Sequence, residues 1–144
     1  MQGTRLKETH MTRRLLLIAA VATTALPAAF AQDMERRVPV TFDAGSSGRS
    51  FNDTISDFEA VTYVVTLRQG QSLHVQLATS NISNCFDIHA PGKARPIYFG
   101  GDSGNTHQLL AEVSGEYLVR VYLLRLAARD GQSAQYTLEL KVAG

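Results

Sequence analysis

Residues 101–104 read Gly-Asp-Ser-Gly, a sequence also found around the nucleophilic serine of chymotrypsin-like proteases. Such a serine works only when the fold supplies a histidine base and an orienting carboxylate. In residues 32–144, the histidines that precede this serine are His74 and His89. Neither lies in a sequence resembling that family's histidine motif. No Gly-x-Ser-x-Gly elbow is present either. We therefore interpret residues 101–104 as a loop, disfavour a small hydrolase, and predict a protein that is not an enzyme.

Four residues could in principle converge on a metal ion, because imidazole and carboxylate groups suit zinc. They are His74, Asp87, His89 and His107. No two of the histidines have ligand spacing on one predicted element, and His74 occupies an outward strand position. Surface residues explain this set better than ligands, so we predict no metal and no cofactor.

Two further groups have reactive side chains without a convincing partner. Asp53, Asp57 and Glu59 cluster near a turn and could serve as paired acids, but nothing in the sequence builds a cleft around them. Cys85 is the only cysteine, which excludes an internal disulfide. Free cysteine is usually buried, so we predict a small core residue rather than a reactive thiol.

The most distinctive segment begins at Ser114-Gly115 and continues through Tyr117 to Arg125 and Arg129. The two arginines could simply hold their own loop to nearby carboxylates. Alternatively, two cations on a rigid sandwich are well suited to reach an acidic cleft, because arginine forms bidentate pairs with carboxylates and is enriched in binding hot spots. Residue chemistry alone does not distinguish between these two interpretations.

Short alternating segments separated by Gly, Asn, Asp and Pro predict an all-β domain, an antiparallel β-sandwich of about eight strands. The turn at 68–71, with Gly70, predicts a hairpin between its flanking strands. Residues 125–134 favour a short helical turn between the last two strands, with Arg125 and Arg129 on one face. The candidate strands are 38–42, 50–55, 61–67, 72–78, 85–90, 96–99, 107–113, 116–124 and 135–142.

The N-terminal part predicts export from the cytoplasm. Residues 11–31 combine a basic start, a short apolar run and an Ala-x-Ala cleavage signal, which is the pattern of a secretory signal peptide. The apolar run is shorter than the roughly 20 residues needed to span a membrane. We interpret residues 1–10 as an upstream extension and expect cleavage after Ala31. The periplasm is the predicted location.

The remaining residues, 32–144, are enough for a single domain with one core. They carry 10 Lys and Arg against 12 Asp and Glu, a net charge of −2. A nucleic-acid partner is therefore disfavoured, because phosphate binding requires a basic surplus. We expect a monomer or a homodimer.

The exported part resembles the periplasmic inhibitors of g-type (goose-type) lysozyme over essentially its whole length. The Ser-Gly-x-Tyr signature at 114–117 is short and shared by unrelated sandwiches, whereas Arg125 followed by Ala128-Arg129 is more specific. Residues 81–104 match poorly. The matching stretches are 38–42, 45–47, 62–63, 70–71, 114–121, Arg125, 128–129 and Tyr136.

The resemblance implies a sandwich whose loops enter and block the active-site cleft of a lysozyme, the protein partner. It gives Arg125 and Arg129 the main contacts with the enzyme's acidic groups, and lets the Ser-Gly-x-Tyr signature shape an adjoining loop. Phe58 stands where the family carries a tyrosine, so it keeps the ring and loses the hydroxyl. The implied inhibitor contacts are Arg125, Arg129, Phe58, Ser114, Gly115 and Tyr117.

A second reading is a generic secreted β-sandwich module, similar to the domains that follow exported bacterial peptidases. Such a module would bind glycan or another envelope protein. The Arg125 and Arg129 spacing distinguishes the two readings, because a packing module has no need of it.

Overall fold

The computed structural model describes residues 34–144, which form two packed β-sheets. The predicted extension at 1–10 and signal peptide at 11–31 lie outside the described residues. All nine candidate strands overlap an observed strand, and the all-β sandwich is confirmed. In chain order the elements are β1 (Glu35–Pro39), β2 (Gly48–Ser56), β3 (Ala60–Leu67), β4 (Ser72–Thr79), β5 (Asn84–His89), β6 (Tyr98–Phe99), α1 (Gly100–Ser103), β7 (Thr106–Leu110), β8 (Gly115–Leu123), α2 (Arg125–Arg129) and β9 (Ser133–Ala143).

The five-stranded sheet has the order β1-β3-β8-β5-β6, and the four-stranded sheet has the order β2-β9-β4-β7. Every pair is antiparallel except β1 with β3, which is parallel. Between these two strands the chain crosses to the other sheet to form β2, and this crossover lets β3 run in the direction of β1. The sandwich is thus antiparallel with one parallel edge pair.

Alternating apolar residues of both sheets form the core between them. In β4, for example, the alternate residues Leu73, Val75 and Leu77 are buried in this core. Tyr63 of β3 and Tyr136 of β9 reach across the core, and their hydroxyl groups lie 2.9 Å apart in a hydrogen bond between the sheets. Burial raises the pKa of both tyrosines, so both remain neutral hydroxyls.

The predicted hairpin at 68–71 is wrong, although the turn itself forms. Gly70 has φ +88° and the Gln71 N–H donates to the Arg68 carbonyl at 3.0 Å, as a tight turn requires. However, β3 pairs with β1 and β8, whereas β4 pairs with β7 and β9. The turn is therefore a corner between the two sheets, held by hydrogen bonds between Gly70 and Gln71 on one side and Ala111 on the other.

Two short helices interrupt the strands. The second, α2, occupies the position predicted for a helical turn. The first, α1, forms where a loop was expected. At its first residue, Gly100, the chain packs so closely against Phe86 that a Cβ would collide with the Phe86 carbonyl oxygen, so glycine is required there. Across residues 34–144, no helix is long and apolar enough to cross a membrane.

Candidate functional site

Three chain connections meet at the end of the sandwich where β8 finishes. They are the β2–β3 turn (57–59), the β4–β5 loop (80–83) and the β8–β9 segment (124–132), which contains α2. The Asp57 N–H donates to the Gln132 carbonyl at 3.0 Å, and the Leu124 N–H donates to the Ser83 carbonyl at 2.8 Å. We call this surface the α2 end.

The helix α2 is fixed by its small residues and by its C-terminal glycine. Ala127 and Ala128 are buried and attach one side of the helix to the sandwich. Gly131 has φ +70°; its N–H donates to the Ala128 carbonyl, and the Gln132 N–H donates to the Ala127 carbonyl. This pair of bonds is a Schellman motif, which ends a helix at a glycine in the left-handed region. The segment is therefore a rigid support for its exposed residues.

Arg125 and Arg129 are the first and last residues of α2, and both are exposed. Within residues 34–144 neither forms an ion pair within 4.0 Å, whereas Arg36 pairs with Asp53 at 2.9 Å. The reading in which the two arginines hold their loop to nearby carboxylates is thus not supported. Two guanidinium groups at one end of the molecule remain available to an external anion.

Phe58 lies in a tight turn at the α2 end and is 51% exposed. Asp57, just before it, has φ +53° and is the one described non-glycine residue with a positive φ. The turn is closed by the Glu59 N–H, which donates to the Ser56 carbonyl at 3.0 Å. Phe58 and Arg125 line the same open depression, of about 380 Å³. The structure therefore brings Phe58 together with the arginine segment.

The Ser-Gly-x-Tyr signature lies at the opposite end of β8. Ser114 Oγ accepts a hydrogen bond from the Gln69 N–H at 2.8 Å. Gly115 has φ +149°, and a Cβ there would lie 2.8 Å from Pro91 Cγ. Tyr117 is buried, and its hydroxyl donates to the Val113 carbonyl at 2.8 Å. These contacts shape the β7–β8 connection, so the structure does not bring the signature beside Arg125.

The other reactive groups are distributed over both sheets. His74 and His107 lie on β4 and β7, whereas Asp87 and His89 lie on β5 of the other sheet. Across residues 34–144, no three His, Cys, Asp or Glu side chains are grouped to hold a metal ion. Cys85 is buried, as predicted, and burial raises the pKa of its thiol. A raised pKa opposes the thiolate form that a nucleophile needs.

Asp87 is a buried carboxylate on the outer side of β5. It accepts a hydrogen bond from the Tyr122 hydroxyl at 2.8 Å and is 8% exposed. Loss of solvation raises the pKa of Asp87, and the Tyr122 hydrogen bond and the nearby His89 and Arg120 side chains only partly oppose this effect.

The acidic cluster and the Gly-Asp-Ser-Gly segment both have structural roles. Asp53 pairs with Arg36, and Glu59 Oε2 accepts a hydrogen bond from the Ser56 N–H at 2.8 Å. Residues 101–104 form most of α1 and its C-terminal cap.

The β4–β5 loop was given no role from the sequence. Its residue Ile82 is 98% exposed at the α2 end. Only the sheet topology places this loop beside α2, and no local pattern in the sequence contains that information.

No family model and no curated protein matches the chain. Solved structures do match. The chain is 25% identical to Aeromonas hydrophila PliG, a periplasmic lysozyme inhibitor of g-type lysozyme, with 76% of this chain and 97% of that chain covered and a TM-score of 0.70. A PliG mutant from Escherichia coli, described in the same way, matches at 25% identity over 76% and 99% of the two chains, with a TM-score of 0.61. The resemblance to this inhibitor family is confirmed.

The pre-peptidase C-terminal domain of a Bacillus anthracis collagenase also matches, at 15% identity, 76% and 94% coverage and a TM-score of 0.51. At this identity the likeness concerns the sandwich fold alone, and it does not favour the reading as a generic secreted module.

Proposed function

We propose that this chain, whose fold and sequence are similar to those of the periplasmic inhibitors of g-type lysozyme, is itself a lysozyme inhibitor. The observation that carries the proposal is the match to A. hydrophila PliG, which covers 97% of that inhibitor at a TM-score of 0.70. The matches with TM-scores of 0.70 and 0.61 are inhibitor proteins, so we propose binding, rather than turnover, as the activity of the chain.

The α2 end is the surface that we assign to the lysozyme. Glycoside hydrolases use a pair of carboxyl groups beside the scissile bond, so their active-site clefts carry negative charge. Arg125 and Arg129 are exposed and without an ion pair in residues 34–144, so they approach such a cleft without first breaking an internal contact. Bidentate pairing of guanidinium with carboxylate supplies both attraction and orientation.

Blocking of the cleft is part of the proposal. A folded protein seated at the carboxylates excludes the polysaccharide from the same place, and no chemical step is needed. The Schellman motif behind Gly131 keeps α2 in position before binding, which lowers the entropy lost on association. Phe58 adds an aromatic ring to the depression that Arg125 lines.

Export is part of the proposal, because a periplasmic inhibitor must leave the cytoplasm. Residues 11–31 supply the signal peptide, and the mature chain begins at Gln32. N-terminal mass analysis of the protein recovered from a periplasmic extract tests this point. A mass that retains residues 11–31 would argue against it.

The function is tested by lysis of bacterial cell walls with g-, c- and i-type lysozymes in the presence of the purified chain from Gln32. We expect g-type lysis to slow at micromolar concentrations of the chain, with weaker or no effect on the other types. Undiminished lysis by all three enzymes would refute the proposal.

A further inference from the structure

Ile82 is an isoleucine whose side chain is almost fully in water. It lies in the β4–β5 loop, is 98% exposed, and shares the α2 end with Leu126, which is 66% exposed. Single exposed apolar residues are common on soluble proteins and need no explanation. Ile82 differs because its loop is bonded to the arginine segment and is held rigidly.

The loop that carries Ile82 is fixed by the side chain of Asn81. Asn81 Nδ2 donates to Gln132 Oε1 and to the Ser133 carbonyl, both at 3.0 Å. Asn81 Oδ1 accepts from the Ser83 N–H at 2.9 Å, and the Asn84 N–H donates to the Asn81 carbonyl at 2.9 Å. Ile82 is therefore the first central residue of a closed turn, where its side chain projects outward.

The same loop is connected to the start of α2. The Ser83 carbonyl accepts the Leu124 N–H at 2.8 Å, and Leu124 immediately precedes Arg125. Asn84, where the loop enters β5, is buried and donates to the Tyr122 carbonyl at 3.0 Å. Ile82 and Arg125 are thus held on one rigid frame.

We infer that Ile82, with Leu126, forms an apolar contact with the wall of the lysozyme cleft while Arg125 and Arg129 pair with its carboxylates. This inference rests on the proposed function and extends it to a loop outside the predicted contact set. An apolar side chain fixed beside unpaired cations fits a partner surface with carboxylates flanked by apolar groups. The partner in question is the lysozyme, and not a second copy of this chain, because the solved structures that match the chain at TM-scores of 0.70 and 0.61 are lysozyme inhibitors.

The ordered β4–β5 loop favours binding through Ile82. The loop is already ordered by the Asn81 hydrogen bonds, so burial of Ile82 gains apolar contact with little entropy lost.

The test compares Ile82→Asp with Leu110→Asp in the chain from Gln32. Leu110 is also an exposed apolar residue, at 66%. It lies on β7, at the other end of the sandwich. Dissociation constants for g-type lysozyme are measured at two salt concentrations, together with thermal unfolding. Because both side chains are exposed, both variants are expected to unfold at the wild-type temperature.

We expect Ile82→Asp to raise Kd at least about tenfold, because it places a charge in an apolar contact and next to enzyme carboxylates. We expect Leu110→Asp to change Kd less than about twofold. A wild-type Kd for Ile82→Asp, or a larger effect of Leu110→Asp, overturns the inference and leaves the inhibitor function standing. If the wild-type chain binds no lysozyme, the proposed function fails and this inference fails with it.

Discussion

Gly115 and Arg125 lie at opposite ends of strand β8. Gly115 is the first residue of this nine-residue strand, and Arg125 follows its last residue, Leu123, by two positions. At about 3.3 Å per residue, the strand alone separates the two ends by roughly 26 Å. The Ser-Gly-x-Tyr signature and the arginine pair therefore act at different places, and their variants should have separable effects.

Gly115→Ala should reduce stability while leaving the lysozyme-binding surface intact. The new methyl group would meet Pro91 at 2.8 Å, and φ +149° is unfavourable for alanine. A loss of about 1–3 kcal/mol in the free energy of unfolding is expected. Urea denaturation measures this loss, and Kd for lysozyme, corrected for the folded fraction, should stay at the wild-type value. Weakened binding at unchanged stability would instead place this turn in the interface.

Phe58→Ala should weaken binding without changing stability. Phe58 is 51% exposed and lines the depression shared with Arg125, so truncation removes an aromatic contact from the interface and little from the core. A loss of about 1–2 kcal/mol in binding free energy is expected. Isothermal titration calorimetry against g-type lysozyme provides the measurement.

Val113→Ala is the matched control for Phe58→Ala, because Val113 is 49% exposed at the other end of the sandwich. Its Kd should equal that of the wild type. Phe58→Tyr introduces the hydroxyl that the resemblance to the lysozyme-inhibitor family implies at this position. This variant should bind at least as tightly as the wild type. Equal affinity of Phe58→Ala and the wild type would remove Phe58 from the contact set.

Asp87→Asn should stabilise the protein at neutral pH, and the gain should diminish in acid. Burial raises the pKa of Asp87, so the folded state binds the proton more tightly than the unfolded state. The ionised carboxylate therefore costs stability above the folded pKa. This cost disappears as the pH falls through the folded pKa towards the unfolded value of about 3.9.

Asparagine keeps an oxygen that can accept the Tyr122 hydroxyl and carries no charge at any pH. Melting temperatures of Asp87→Asn and the wild type, measured from pH 8 to pH 4, should converge at the acid end. A difference that is constant across this range, or that favours the wild type at pH 8, would argue against a destabilising carboxylate.

The core could be predicted from the sequence more easily than the strand order, because the two depend on interactions of different range along the chain. Alternation in β4 identifies Leu73, Val75 and Leu77 as buried because it depends only on neighbours two residues away. The turn at 68–71 was also predicted, but its use as a corner between sheets depends on β8 and β9, which lie far away in the chain. Local turn chemistry does not specify which strand pairs with which.

For the candidate site, too, local patterns could be predicted from the sequence, whereas contacts between distant segments could not. The Ala-rich helical turn placed Arg125 and Arg129 on α2 as expected. Their lack of an ion pair within residues 34–144 depends on where every described carboxylate lies, and so required the fold. The distance from Gly115 and the nearness of Ile82 depend on strand direction and sheet order, which no local motif encodes.

The most direct test of the account is the affinity of Arg125→Ala/Arg129→Ala for g-type lysozyme, measured over a range of salt concentrations. The charge-matched control is Arg68→Ala/Arg95→Ala, which removes two exposed arginines from outside the α2 end. We expect the first variant to lose at least about 100-fold in affinity and most of its salt dependence at a wild-type melting temperature, whereas the control should bind normally. Wild-type affinity of the Arg125/Arg129 variant, or equal losses in both variants, would contradict it.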